Sequence, residues 1–415
     1  MTGVALDVGI VGAGVAGLTT AIGLCRAGHN VEIFERSKLA SEIGAAIHIC
    51  PNATRVLRQW DFDFIGTNAI MVNEGRVISP HDMKISFNQR YPDLESLYGA
   101  PWYFIHRVDL HNELQRLAKA SGPGFKGATL HLASEVKSLD CEEGLITLTD
   151  GRRFKKDLVI AADGVHSTTA SLVLGDKVPA HECGQSAFRF MVPTQTINAA
   201  GLGDALFTHI PDSVSVAADS QRRLVWYPCR NGELQNFVAI HPTRVMDHAE
   251  DKWNVSANLD SLLDEYKSFH PDLIKAMTLA TDLKLWKLLF RPPISTWHRG
   301  KVVLAGDAAH PMLPHQGQGG AQAIEDGGAL AILLENLSSQ DDVPKRLRMY
   351  QEIRWNRTAA MQIFSKVGQD QAEKIELEAK KYTDGPIPKN QIEFHDFNFG
   401  YDIIAACQSM LATGC

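Results

Sequence analysis

The amino-acid sequence predicts an α/β protein, in which a doubly wound parallel-sheet domain is interrupted by an antiparallel sheet and followed by C-terminal helices. Three observations predict this fold class. An apolar strand, a glycine-rich turn and a helix follow one another at the N-terminus. Alternating strands separated by turn residues occupy the chain from about residue 184 to 237. A buried strand then returns at Lys301–Ala305, which indicates that the first domain resumes there.

The N-terminal elements are typical of a βαβ unit. The apolar run Ala5–Val11 predicts a buried parallel strand, and the glycine-rich turn Gly12–Gly17 follows it directly. A helix pattern runs from Val15 to Ala27, and Gly28 ends it. Asn30–Glu35 is the second strand, so the glycine turn lies between a strand and a helix.

The elements that follow divide the chain into segments of two domains. The first domain continues with helices and strands at Asn52–Asp61, Val108–Lys119, Thr129–Asp140, Gly144–Thr149 and Phe154–Ala162, of which the first two strands resemble a hairpin-like insertion. The inserted sheet has strands at Ser186–Val192, Ala205–Ile210, Ser213–Ala218, Arg223–Cys229 and Gln235–His241, and helices at Ala257–His270 and Pro271–Ala280 follow it. Later helices are predicted at Gly320–Asn336 and Val343–Lys381. We therefore assign 1–75, 105–182 and 291–340 to the first domain, 76–104 to a linker or sheet-domain segment, 183–290 to the sheet domain and 341–415 to a C-terminal helical region.

Composition excludes several classes of protein. The net charge of the 415 residues is 41 − 48 = −7, without a long basic run, so DNA and RNA are not expected partners. The seven cysteines are scattered, form no C-x-x-C pair and favour a reducing compartment. No stretch reaches the roughly 20 apolar residues of a membrane span. We expect a soluble, cytoplasmic protein.

The glycine turn has the spacing of a dinucleotide-binding loop. Gly12, Gly14 and Gly17 form G-x-G-x-x-G at a strand–helix junction, where the backbone can approach a pyrophosphate at the helix N-terminus. Glu35 ends the second strand 18 positions after Gly17, where a carboxylate can accept hydrogen bonds from adenosine ribose hydroxyls. Arg36 is either a solvated neighbour or a residue that stacks on adenine. Together these features predict a Rossmann-like domain.

Two further segments determine which dinucleotide is expected. They are the Asp-Gly segment around Asp163 and the run Gly306–Pro311, which continues to Gly317-Gln318-Gly319. With the glycine loop, in this order, the chain resembles the single-component FAD-dependent aromatic hydroxylases, particularly the salicylate-hydroxylase-like branch. The resemblance also covers 44–47, 51–53, 106–110 and 323–326, and extends to about residue 365. It implies non-covalently bound FAD.

The resemblance also implies roles for individual residues around FAD. Asp307 accepts from a ribityl hydroxyl, and the helix that begins near Gly319, Gly320 and Ala321 directs N–H groups at electron-rich flavin oxygens. Arg107 reaches the pyrophosphate, Ala46 belongs to a matched FAD segment, and Val136 lies against the adenine unless it is an ordinary strand valine. Asp163 contacts FAD and assists the nicotinamide. Ala170 departs from the family, because many relatives have an arginine three positions after the serine.

The activity that the resemblance implies is hydroxylation of a phenol or another electron-rich aromatic. NADH or NADPH reduces FAD, O₂ adds at flavin C4a, and the resulting hydroperoxide supplies the oxygen. The chain has no second G-x-G-x-x-G, so the nicotinamide is expected to bind transiently. Decarboxylation, dearomatisation or epoxidation are variants, and a non-enzymatic flavin-fold carrier is the alternative outside enzymes. A monomer or homodimer is expected.

Few side chains are predicted to act on the substrate itself. Arg189 is expected to pair with a substrate carboxylate or phenolate and Tyr227 to donate to a ring oxygen, with a sheet-face ion pair and a core tyrosine as their structural alternatives. His48 faces the flavin or is a buried histidine with satisfied hydrogen bonds, and Pro314 resembles the family proline whose backbone faces the reacting centre. No metal site is expected, because His310 and His315 lack a carboxylate that would complete a ligand set.

Overall fold

A computed structural model describes residues 3–38, 45–207, 211–244, 254–367, 372–389 and 391–413. Three parts of the sequence predictions lie outside these residues: Gly44, the strand end at 208–210, and 368–371 of the last predicted helix. None of the helices in the described ranges is both long enough and apolar enough to cross a membrane.

The strands of the described residues are numbered in chain order: β1 (Asp7–Val11), β2 (Asn30–Phe34), β3 (Ala46–Ile49), β4 (Ile70–Met71), β5 (Glu74–Ile78), β6 (Ile85–Arg90), β7 (Tyr103–His106), β8 (Thr129–His131), β9 (Val136–Asp140), β10 (Leu145–Leu148), β11 (Arg153–Lys155), β12 (Leu158–Ala161), β13 (His181–Pro193), β14 (Ser213–Ala218), β15 (Arg223–Cys229), β16 (Leu234–Pro242), β17 (Asn254–Ser256), β18 (Thr281–Phe290), β19 (His298–Arg299) and β20 (Val302–Leu304).

The α-helices of the same residues are α1 (Val15–Arg26), α2 (Pro51–Arg58), α3 (Leu94–Tyr98), α4 (Arg107–Lys119), α5 (Thr169–Leu174), α6 (Thr194–Ala199), α7 (Gly203–Phe207), α8 (Leu259–Tyr266), α9 (Pro271–Thr278), α10 (Gly319–Leu334), α11 (Val343–Val367), α12 (Ala372–Ala379), α13 (Gln391–Phe399) and α14 (Ile403–Thr413).

A six-stranded sheet forms the predicted parallel domain. Its strand order is β19-β20-β12-β1-β2-β8, and only β19 runs antiparallel to its neighbour. β12 and β20 are buried along their whole length, which explains why both strands are uninterrupted apolar runs in the sequence. Helix α1 packs against α4 and α10, so the N-terminal helix is covered by helices from distant parts of the chain.

An eight-stranded sheet forms the insertion, with the order β17-β18-β13-β16-β15-β14-β5-β6. All its pairs are antiparallel except β14 with β5. The alternation along β13 gives the sheet two faces: Phe188 and Phe190 belong to a core formed with α6 to α9, whereas Arg189 lies on the opposite face. The α/β fold with an inserted sheet and C-terminal helices is therefore confirmed.

Several predicted elements differ from the structure. The strand expected at Ala205–Ile210 is wrong where it is described, because Gly203–Phe207 is helix α7. Its Leu206 is fully buried, and the Leu206 carbonyl accepts hydrogen bonds from Trp226 Nε1 and Arg76 Nη2. Tertiary packing therefore overrides a strand-like pattern here.

The single strand predicted at Thr129–Asp140 is two strands in different sheets. β8 joins β2, whereas β9 pairs with β10, and Ala133 between them has a φ of 50° that interrupts extended backbone. The last long helix is also divided, since α11 ends at Val367 and α12 begins at Ala372. The ten-residue strand β18 was not predicted.

Candidate active site

The predicted cofactor segments converge because they follow adjacent strands of one sheet. β20, β12, β1 and β2 are consecutive and parallel, so their carboxyl ends lie on the same edge. Asp307, Asp163, Gly12 and Glu35 follow these four strands in that order. With neighbouring strands about 4.8 Å apart, the ends of these four strands span roughly 14 Å. Ligands of doubly wound sheets bind at such an edge.

The glycine loop is shaped by close backbone contacts. Gly12 has a φ of 99°, and a Cβ atom on Gly17 would lie 2.0 Å from the Gly12 carbonyl oxygen. A Cβ atom on Gly14 meets nothing within 4 Å. His111 Nε2 donates to the Ala13 carbonyl at 2.7 Å, so α4 holds the loop from behind. Gly12 and Gly17 therefore shape the loop, while Gly14 leaves its outer surface open.

Glu35 and Arg36 lie at the far end of this edge. The Glu35 carboxylate accepts from the Ala13 and Ser37 N–H groups, each at 2.8 Å. An ionised carboxylate has about four lone-pair sites, so it retains capacity for ribose hydroxyls. Arg36 is exposed, and it lies near His166, whose pKa is lowered by burial and by the Arg36 charge. Val136 opens strand β9 and is half-buried against the main core.

Asp163 uses one of its two carboxylate oxygens within the protein. Oδ2 accepts from the N–H groups of Thr168 and Thr169 at 3.1 and 3.3 Å, whereas the buried Oδ1 has no hydrogen-bond partner among the described residues. Nearby Ala170 is buried in the main core, and its N–H donates to Ser167 Oγ at 2.9 Å.

Asp307 is surrounded by cationic side chains. Burial raises the pKa of its carboxyl, while His310, Arg107 and Arg291 oppose that rise. Its side chain is solvent-accessible even though protein atoms surround it, which is the environment of a deep cleft. Arg291 is fully buried, donates to the Ala308 carbonyl at 2.5 Å, and also interacts with the charge of Asp163. Arg291 therefore connects two of the cofactor segments.

The N-terminus of α10 points toward the same cleft. Gln318 is its N-cap residue and provides no side-chain cap within the described structure. A Cβ atom on Gly320 would lie 2.6 Å from the Ile47 side chain, while one on Gly319 meets nothing within 4 Å, and Ala321 is fully buried. The first N–H groups of a helix attract electron-rich atoms, so Gly319 gives a ligand close access to them.

A buried charge network holds this helix in place. Asp326 accepts from Gly306 N–H at 2.7 Å, and its carboxylate is hydrogen-bonded to His310 Nε2 at 2.6 Å and forms an ion pair with Arg354 at 2.8 Å. Glu325 pairs with both Arg354 and Arg357. The turn that positions Asp307 is thus tied to α10 and α11, and His310 is a structural residue.

Arg189 lies on the sheet face that is turned away from the sheet's helical layer. Its guanidinium stacks on Trp286 at 4.8 Å, and its buried Nε has no hydrogen-bond partner within the described ranges. Burial and the nearby charge of Arg107 lower its pKa to about 10. Arg189 and Arg107, which is predicted to bind the cofactor, are therefore close enough to interact electrostatically.

Tyr227, which is predicted to donate to a substrate ring oxygen, makes a backbone contact in the structure. Its hydroxyl donates to the Ala46 carbonyl at 2.9 Å, and Asn236 Oδ1 accepts from the Ala46 N–H at 3.0 Å. The hydrogen expected to reach a substrate oxygen is thus engaged by the backbone. Tyr227 fixes β3 against the sheet, and Ala46 has both polar backbone groups occupied by the protein.

His48 lies on β3, in the three-stranded sheet β3-β7-β4, and contacts the eight-stranded sheet through Tyr227. Its ring packs on Tyr227 at 4.5 Å, on Phe104 at 5.0 Å and on Trp102 at 5.4 Å. Burial lowers its pKa to about 3, so it is neutral at pH 7. Gly317, with a φ of 63°, lies against this ring, and Pro314 begins the short turn that leads to it. His48 thus joins the flavin-side loop to the sheet face.

Sequence reasoning missed three residues that shape this site: His111, Asn236 and Arg291. Each acts on backbone atoms outside its own element, at separations of 98 residues for His111 and Ala13, 190 for Asn236 and Ala46, and 17 for Arg291 and Ala308. No local motif marks such contacts. Their burial is the available signal, because a buried polar group needs a partner.

Comparison with known proteins decides the family. The family model described as FAD binding domain matches residues 5–365. The chain belongs to this family. This FAD-binding protein is 38% identical to the FAD-dependent monooxygenase phomE′ of Diaporthe leptostromiformis, over 92% of this chain and 96% of that one. It is 31% identical to hispidin-3-hydroxylase of Neonothopanus nambi, over 98% and 96% of the two chains.

The fold leads to the same group of proteins. Salicylate hydroxylase in its substrate complex superposes with a TM-score of 0.77 at 24% identity, covering 97% of each chain. This likeness shows a shared fold, and the sequence relatives show that the protein is an FAD-dependent monooxygenase. The unpartnered Asp163 oxygen and the open surfaces at Gly14 and Gly319 fit the FAD that this family binds.

Proposed function

We propose that this monooxygenase uses NADH or NADPH and O₂ to hydroxylate a phenolic or other electron-rich aromatic small molecule. The observation that carries the proposal is the adjacency of two sites. Arg107, at the cofactor edge, lies close enough to Arg189, on the sheet face, to lower its pKa. Arg107 also interacts with Asp307, which would hold the flavin end, so a substrate on that face would lie near the flavin.

Bound FAD supplies the redox and oxygen-transfer chemistry, which few protein groups can provide. Asp307 and the N-terminus of α10 would hold its flavin end, Gly12 to Gly17 and Arg107 its pyrophosphate, and Glu35 its adenosine. The uncapped N–H groups of α10 favour negative charge on the ring system they face.

The protein must orient the substrate and exclude water from it. Arg189 is suited to an anionic oxygen, because its unpartnered Nε lies in a buried setting where an ion pair is strong. A phenolate next to Arg189 is an electron-rich ring, which is the form of a phenol that reacts with electrophilic oxygen. The aromatic side chains of His48, Trp102 and Phe104 provide a dry wall for this ring.

Stopped-flow reduction of the yellow holoenzyme tests this function. NADH and NADPH are mixed with the protein in the presence of each member of a phenol panel, and oxygen uptake and product mass are then measured. We expect at least one phenol to accelerate flavin reduction and to gain one oxygen atom. Reduction that no aromatic accelerates, with peroxide as the product, contradicts the proposal.

An epoxidase acting on a related ring is the second candidate from the sequence. Both reactions add one oxygen, so product mass does not separate them, and the NMR spectrum of the product, which shows an epoxide or a new phenol, decides between them.

A further inference from the structure

A polar cavity lies beside the aromatic site on the same face of the eight-stranded sheet. It has a volume of about 570 Å³ and is lined by residues that include Gln185, Arg223, Ile240, Leu313, His315 and Lys366. We call it the outer cavity. This volume is within the range of about 300–1,000 Å³ typical of small-molecule sites.

The strand register places the outer cavity next to Arg189. Ala187, two residues before Arg189 on β13, pairs with Ile240 of the cavity wall, and Ile240 pairs with Arg223. Two residues of a strand span roughly 7 Å, so Arg189 and the residues of the cavity wall are neighbours on one face of the sheet. Leu313, which contributes to the cavity floor, directly precedes Pro314 of the flavin-side turn.

The acidic groups of the outer cavity are already neutralised. Glu182 pairs with Lys287 at 3.3 Å, and Asp219 pairs with Arg222 at 3.4 Å while accepting two backbone N–H groups. Arg222 also pairs with Glu265 at 2.9 Å. These acids therefore contribute little net negative charge to a ligand in the cavity.

Lys366 is a cationic residue of the outer cavity. Lys366 lies over the Phe290 ring with Nζ 4.8 Å from the centroid, and none of the described carboxylates forms an ion pair with it. The Arg223 charge reaches His315 and, with burial, lowers the pKa of that histidine to about 4. The cavity thus combines a positive charge with a neutral imidazole.

His315 also offers an unused acceptor. Its Nε2 donates to Gln185 Oε1 at 3.0 Å, which leaves Nδ1 as the acceptor of a neutral ring, and Nδ1 is buried without a partner among the described residues. A hydroxyl or amide N–H of a ligand would satisfy it.

We propose that the outer cavity binds the anionic end of an elongated aromatic substrate and that Lys366 determines specificity for that end. This inference rests on the proposed function, with the reacting ring beside Arg189. The favoured substrate then carries a carboxylate or another acidic group about 7 Å or more from the hydroxylated ring. A compact benzoate, with its carboxylate on the ring, does not reach Lys366.

Binding to the oxidised holoenzyme, followed by flavin difference spectra, tests the inference without requiring turnover. The probes are 5-(4-hydroxyphenyl)pentanoic acid, its methyl ester and 4-hydroxybenzoic acid. The native protein should bind the long acid more tightly than its ester. Lys366→Met should raise the Kd of the long acid about fivefold, as expected for the loss of a partly exposed ion pair, and leave the ester unchanged. Lys366→Arg should retain the preference.

Lys345→Met is the matched control, since Lys345 is on the same helix but outside the outer cavity. It should bind all three probes like the native protein. The inference is wrong if native protein does not prefer the long acid, or if Lys366→Met weakens the binding of acid and ester equally. Failure of the proposed function is separate: it is the absence of oxygen incorporation by the native enzyme, whatever these binding results are.

Discussion

The cofactor edge of the parallel sheet and the substrate face of the inserted sheet are built in different ways. The edge is formed mainly by glycines, backbone N–H groups and single residues that follow strand ends. At the face, Arg189, Tyr227 and Asn236 come from different strands and meet through antiparallel register. Because the edge depends on local backbone geometry, it leaves a motif in the sequence, whereas the face leaves none.

Gly17→Ala is expected to have the largest effect, because it changes backbone packing at the edge. Its Cβ atom would lie 2.0 Å from the Gly12 carbonyl oxygen, so helix α1 must move away from the loop that follows β1. We expect a loss of about 3 kcal/mol in the free energy of unfolding and little bound flavin. Urea unfolding of the apoprotein and flavin absorbance measure the two effects.

Gly14→Ala is the matched control at the same loop. Its φ of −76° suits alanine and its Cβ position is open, so apoprotein stability should stay near native while FAD binding weakens. Equal losses of stability in both variants would contradict the distinction between loop-shaping and cofactor-facing glycines.

His48→Phe examines the junction between edge and face. The pKa of His48 is about 3 in the folded protein against an ordinary value of 6.5. Between these values the unfolded chain binds a proton that the folded one does not, so stability is present above pH 6.5 and is lost as the pH falls. The variant should reduce the slope of unfolding free energy against pH by about 1.4 kcal/mol per pH unit between pH 4 and 6. Equal slopes of unfolding free energy against pH for native and variant protein would contradict the lowered pKa of His48.

Arg189→Met examines the face while leaving the edge intact. Removing the guanidinium should lower the product formed per NADH or NADPH about tenfold or more, since the ring is no longer oriented. Flavin content should remain native. Product yield and peroxide release are measured together, and a normal yield would remove Arg189 from the substrate site.

Tyr227→Phe should have the smallest effect. It removes one buried hydrogen bond to the Ala46 carbonyl, which is worth about 1 kcal/mol of stability. If Tyr227 acts only by positioning β3, product yield should fall far less than in Arg189→Met. A loss of coupling as large as that of Arg189→Met would instead restore Tyr227 as a substrate donor.

Much of the fold was predictable because several signals are local. Buried parallel strands are apolar runs, and glycine positions at the first loop reflect a φ of 99° and a close contact with a carbonyl. By contrast, the strand prediction at α7 was wrong because the packing of Leu206 into a distant core outweighs the local pattern. β18 was missed because its partner, β13, lies about 100 residues earlier.

The sequence by itself predicted the FAD edge, because the glycine loop, Glu35, Asp163 and Asp307 each lie in a recognisable segment of a few residues. Only the tertiary structure decided which residues form the substrate face of the inserted sheet. Tyr227 donates to Ala46, Arg189 Nε has no hydrogen-bond partner in the part of the chain that the structure describes, and the outer cavity opens beside them. The physical reason is that strand register brings together residues that are far apart in sequence, and such contacts follow from packing of the whole sheet.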